Sequence, residues 1–80
     1  MSREELIKQI TPIAQSIFQK QDLVISDELS GQNLETWTSL AFMKFISAIE
    51  EQYGFRFRLV ELFPLRNMGA IIDATLVHIQ

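Results

Sequence analysis

Few residues of this chain have the types and spacing to do chemistry. A hydroxyl pair, Thr38 and Ser39, stands within L-E-T-W-T-S-L-A-F-M (34–43), where a polar approach turns into an apolar helical stretch. A serine hydroxyl becomes a nucleophile within its own chain when a positioned base, most often histidine, lies beside it. The one histidine is His78, two residues from the end of the sequence and on the polar side of the last periodic stretch, where it reads as a solvated helix-end side chain. Glu50 and Glu51 are adjacent, so on a helix they point about 100° apart, make no facing carboxylate pair and read as a solvated face. Arg56 and Arg58 flank Phe57, but a net charge of −3 is unlike the basic stripe that phosphate backbones require, and no nucleic-acid partner is expected. There is no cysteine, H-E-x-x-H, phosphate-binding glycine loop or acidic calcium loop. A self-contained enzyme, or a metal site, is therefore not expected.

The elements that must position Ser39 can be read from caps and periodicity. Ser2 and Glu5 have capping-box spacing, and Leu6, Ile7, Ile10, Ile13, Ala14, Ile17 and Phe18 recur at helical intervals behind them. Pro12 lies inside this run, which predicts a kink there or a restart capped by Thr11, with the helix ending near Lys20. Residues 21–37 lack a sustained period and predict a long, ordered loop anchored by Leu23, Val24, Ile25, Leu29, Leu34 and Trp37. From Ser39 a second helix presents Phe42, Phe45, Ile46, Ile49 and Tyr53 on one face and stops at Gly54. F-R-F-R (55–58) reads as a connector, Leu59–Leu65 as a short helix, and Asn67 as the cap of a last helix with Met68, Ile71, Ile72, Thr75, Leu76 and Ile79 on its inner face. The sum is an all-α four-helix bundle: three main helices, one short helix, and a long loop between the first and second.

Eighty residues predict a single domain, 1–80, whose core is simple because so short a chain buries only about 60% of its unfolded surface. Met1 runs straight into S-R-E-E without a signal segment or an apolar run of spanning length, which predicts a freestanding, cytoplasmic, monomeric protein with no membrane partner. Charge is uneven: residues 1–35 hold six acids and three bases, whereas 36–80 hold four of each. With the second helix's core stripe already served by Phe45, Ile46 and Ile49, some of Leu40, Met43 and Ser47 must face outward, which predicts a contact surface.

A long loop ending in T-S-L (38–40), an amphipathic helix ending E-E-Q-Y-G-F (50–55), a short helix and a capped last helix together resemble the acyl carrier protein family. The resemblance spans the first helix to Ile79. It implies that Ser39, at the place of the serine in the family's D-S-L, receives a 4′-phosphopantetheine arm from coenzyme A through a phosphopantetheinyl transferase. The arm's thiol would hold acyl cargo as a thioester, which accounts for a carrier without cysteine. The implied partners are that transferase, an acyl- or aminoacyl-loading enzyme, and ketosynthase- or transferase-type acceptors. Leu40, Met43, Lys44 and Ser47, with Val60 and Glu61 at the other edge, are the expected partner surface. Two departures stand out. Thr38 replaces the usual aspartate, and the second helix lacks the acidic face that fatty-acid synthesis enzymes recognise in the family. The expectation is a carrier in a specialised polyketide, nonribosomal peptide or modified-lipid pathway. The alternatives are an aminoacyl or peptidyl carrier, and an unmodified helical interaction module in which Thr38 and Ser39 only cap.

Overall fold

Ser2 starts the first helix as its spacing predicts. Its hydroxyl accepts from the Glu5 amide (3.1 Å) and the Glu5 carboxylate accepts from the Ser2 amide (3.1 Å), so the two satisfy each other's first-turn donors. In this computed structural model, which describes residues 1–80, α1 spans Arg3–Ile17, α2 Ser39–Tyr53, α3 Leu59–Leu62 and α4 Met68–Ile79. The architecture is an all-helical bundle of four helices with a long connection between α1 and α2.

Pro12 neither ends α1 nor restarts it. Its ring lies on the exposed side, so the Lys8 carbonyl it leaves without a donor is on the solvent side, while Leu6, Ile10 and Ala14 continue one fully buried stripe. Thr11 is not a cap; its hydroxyl donates back to the Ile7 carbonyl (2.6 Å). The helix stops at Ile17 rather than near Lys20. Gln19 adopts a left-handed conformation (φ 54°), and the Gln19 and Lys20 amides turn back to the carbonyls of Ser16 (3.3 Å) and Gln15 (3.0 Å), closing a Schellman motif without the usual glycine.

The following loop is pinned by Leu23, Leu29 and Leu34, all buried, with Ile25 and Trp37 packed against the core. Val24 is not an anchor. It is 79% exposed, pointing outward between the buried Leu23 and the half-buried Ile25. The loop also completes the start of α4: the Met68 amide donates to the Leu29 carbonyl (2.8 Å), Gly69 to Asp27 (3.0 Å), and Ala70 to the Asn67 side chain (2.8 Å). Arg3 ties the same region together by ion pairs to Asp27 (2.6 Å) and Asp73. α1 packs against both α2 and α4, with Phe18, Phe45, Ile49, Ile71 and Ile72 at the centre. α3 is a single turn that ends at Leu62, short of the expected Leu65, and buries none of its residues. Gly54 ends α2 in the left-handed conformation that its position predicts (φ 72°).

Candidate functional site

The start of α2 is fixed by aromatic packing before it is fixed by hydrogen bonds. Trp37 stacks on Phe18 from the end of α1 (5.0 Å between centroids) and on Phe42 (6.3 Å), one residue before the cap and four into the helix. That spacing is a hydrophobic staple, which sets the angle at which the chain enters the helix. Thr38 is then the N-cap: its hydroxyl accepts from the Ala41 amide (3.1 Å) and its carbonyl from the Phe42 amide (2.9 Å).

Ser39 is thus the first helical residue and not the cap. Its side chain is exposed and its hydroxyl makes no hydrogen bond within the chain. The amides of Ser39 and Leu40 find no acceptor either, and the first turn contains no acid. Two unpaired donors at the positive end of a helix favour an anion bonded at the adjacent hydroxyl. The donor set fits a phosphodiester on Ser39.

Beside this terminus lies an open groove of about 410 Å³, walled by Trp37, Phe42, Met43, Leu62 and Leu65, with Thr38 and Ser39 at its polar lip. Sequence reasoning assigned none of these five apolar residues but Met43 to the site. The five-residue spacing of Trp37 and Phe42 is a legible staple signal. Leu62 and Leu65 reach the groove only because α3 folds back over α2, which no local pattern announces.

Of the other residues singled out in the sequence, Leu40, Met43, Lys44 and Ser47 lie along one exposed side of α2, and Val60 is exposed on α3. Glu61 is placed differently. Its side chain is only 21% exposed, and its carboxylate accepts from the Arg58 amide (3.0 Å), Arg58 Nε (3.2 Å) and His78 Nε2–H (2.6 Å). A carboxylate can only accept here, so the proton is on Nε2 of the imidazole. The His78 hydrogen bond, followed by that from the Arg58 amide, holds the Glu61 carboxyl at about 2, well below its ordinary value.

His78 is therefore not the solvated residue that its sequence position suggests. Its ring stacks on Phe55 (4.5 Å, 10° between planes) and meets Phe57 edge-on (5.2 Å). Glu50, read as merely solvated, accepts from the Phe57 amide (2.8 Å) and fastens the connector to α2. Together these contacts lock residues 55–61 between the ends of α2 and α4.

No three metal-ligating side chains gather in the structure, and no helix is long and apolar enough to cross a membrane. The chain is similar to the solution NMR structure of the holo acyl carrier protein from Geobacter metallireducens. The two share 31% identity and a TM-score of 0.78, over 90% of this chain and 86% of that one. No protein-family model and no curated protein matches the sequence.

Proposed function

The chain belongs to the acyl carrier protein family, and from that premise we propose that Ser39 is where a 4′-phosphopantetheine arm is attached. The observation that carries this reading is the division of labour at the start of α2. Thr38 does the capping, which leaves the Ser39 hydroxyl exposed beside two unpaired amides. A phosphopantetheinyl transferase would take the proton from this hydroxyl while its oxygen displaces the nucleotide half of coenzyme A's pyrophosphate. The phosphodiester formed is then held at the helix end by the Ser39 and Leu40 amides. The arm supplies the thiol that carries an acyl group as a thioester. The chain itself works as carrier and not catalyst, since its one histidine is engaged by Phe55 and Glu61. Tethering raises the effective concentration of the cargo for successive enzymes.

The apolar groove at the lip of Ser39 supports acyl cargo over a purely polar load. The outer side of α2 reads Leu40, Met43, Lys44 and Ser47, with acids only at its far end, so the partners are those of a specialised pathway and not the housekeeping fatty-acid synthases. Intact mass after incubation with coenzyme A and a broad-specificity transferase tests the attachment. Wild type gains one phosphopantetheine and Ser39→Ala gains none; Thr38→Asp labels faster if the missing carboxylate is what a standard transferase reads. No gain in wild type or in Thr38→Asp would leave Thr38 and Ser39 as a helix start alone. A pull-down in which housekeeping fatty-acid synthases bind the loaded chain and extend it normally would count against the specialised pathway.

A further inference from the structure

The surface that bears Ser39 differs in charge from the rest of the molecule. Residues 39–66, which comprise α2, the connector, α3 and the turn after it, hold Lys44, Arg56, Arg58 and Arg66 against Glu50, Glu51 and Glu61, a net +1. The remainder holds three bases and seven acids, a net −4. Glu61 is consumed inside the structure by Arg58 and His78. Glu50 and Glu51 stand at the far end of α2 in a hollow shared with Ser47 and Arg56, and Glu50 is bonded to the Phe57 amide. Lys44, Arg56 and Arg66 have no ion-pair partner, and the Arg58 side chain is 80% exposed.

The same face is also the most apolar part of the exterior. Leu40, Met43, Leu59, Val60 and Phe63 are between 47% and 73% exposed, on α2, α3 and the turn after α3, whose adjacency the groove between Met43 and Leu62 establishes. Exposed apolar side chains gathered in this way on a small domain mark a contact surface. The charge around them decides what it contacts.

We propose that this face docks proteins whose binding surface is an apolar patch edged by carboxylates, the reverse of the basic edge that an acidic carrier helix requires. The proposal rests on the carrier reading, because it seats the partner against the helix end that presents Ser39. Opposite charge around an apolar centre raises the rate of encounter and fixes orientation, while like charge excludes the wrong partner.

The test uses the unmodified, nitrogen-15-labelled chain and two synthetic amphipathic helical peptides with one leucine–isoleucine face, flanked in one by glutamates and in the other by lysines. At low salt the glutamate peptide binds about tenfold more tightly and shifts the amides of Leu40, Met43, Leu59, Val60 and Phe63. The double reversal Lys44→Glu with Arg56→Glu takes the face from +1 to −3 and exchanges the preference. Both side chains are exposed and unpaired, and circular dichroism confirms that the variant is folded. Equal or better binding of the lysine peptide overturns the proposal, as does binding of neither, or shifts confined to another face. Preferential binding to phosphatidylglycerol vesicles would assign the face to a lipid surface instead. A dimer in sedimentation that the double reversal dissolves would assign it to a second copy, basic face against acidic remainder. The arm is not needed for peptide binding, so failure here leaves the loading of Ser39 standing, and failure of loading leaves the peptide preference standing.

Discussion

α2 and α4 begin with the same device and finish it differently. Each is capped by a polar side chain that accepts from the amide three residues on, Thr38 from Ala41 and Asn67 from Ala70. At α4 the first two amides are also taken, by the carbonyls of Leu29 and Asp27 from the long loop, and the first helical residue, Met68, is fully buried. At α2 the corresponding residue is Ser39, exposed, and the first two amides have no acceptor. One terminus is closed into the core; the other is left open to solvent. Backbone donors that the fold does not use remain for a ligand.

Substitutions at the two helix starts put this contrast to the test. The largest effect is expected at the first helical residue. Met68→Ala should lose about 2–5 kcal/mol through the cavity it leaves, whereas Ser39→Ala should change stability by no more than about 0.5 kcal/mol, both read from urea unfolding. A comparable loss in Ser39→Ala would mean that the serine is structural. Next, Gly69→Ala puts a Cβ 2.9 Å from Asp27 Cβ and 3.2 Å from Asp27 Cα, so the loop must move. A loss of about 1–3 kcal/mol is expected, with faster exchange of the Met68 and Gly69 amides by hydrogen–deuterium exchange. Leu40, at the equivalent position of α2, is 66% exposed, and Leu40→Ala should change stability by no more than about 0.5 kcal/mol.

Smaller still is the effect of the caps. Thr38→Ala and Asn67→Ala should each cost about 1 kcal/mol, since each strands one first-turn amide; a much smaller loss for Thr38→Ala would show Ser39 taking over as cap. The smallest effect concerns acid. Glu61 titrates at about 2 in the folded chain, below its ordinary 4.5, so its contribution to stability is complete above about 4.5 and disappears as pH falls toward 2. Glu61→Gln should flatten the acid limb of stability over that interval, and His78→Gln should do so in part, because the imidazole bond is the main cause of the depression. Unfolding curves at pH 2.5 and pH 6 that shift equally in wild type and Glu61→Gln would contradict it.

Much of this contrast could be read from the sequence, and what could not shares one cause. Ser2, Thr38, Asn67 and Gly54 announce helix ends because their chemistry is local, and the apolar periods of α1, α2 and α4 follow directly. The end of α1 escaped because Gln19, not glycine, takes the left-handed position. α3 was read too long because Leu65, though apolar, belongs to the groove and the core and not to a helix. At the site, the exposure of Leu40, Met43, Lys44 and Ser47 follows from the α2 period. The groove walls Leu62 and Leu65, the sequestered Glu61 and the buried face of His78 are products of long-range packing, and no spacing rule reaches them. Nor does the closing of α4 by Asp27 and Leu29, some forty residues earlier, leave a mark in the local pattern.

Whether the open terminus of α2 carries a covalent anion is decided on protein purified from the cells that make it, by mass of the peptide containing residue 39 together with phosphorus-31 NMR of the intact chain. One phosphopantetheine on Ser39 and one phosphodiester resonance are expected, both absent from Ser39→Ala. A chain that carries no phosphorus, or carries it at any residue but Ser39, would contradict it.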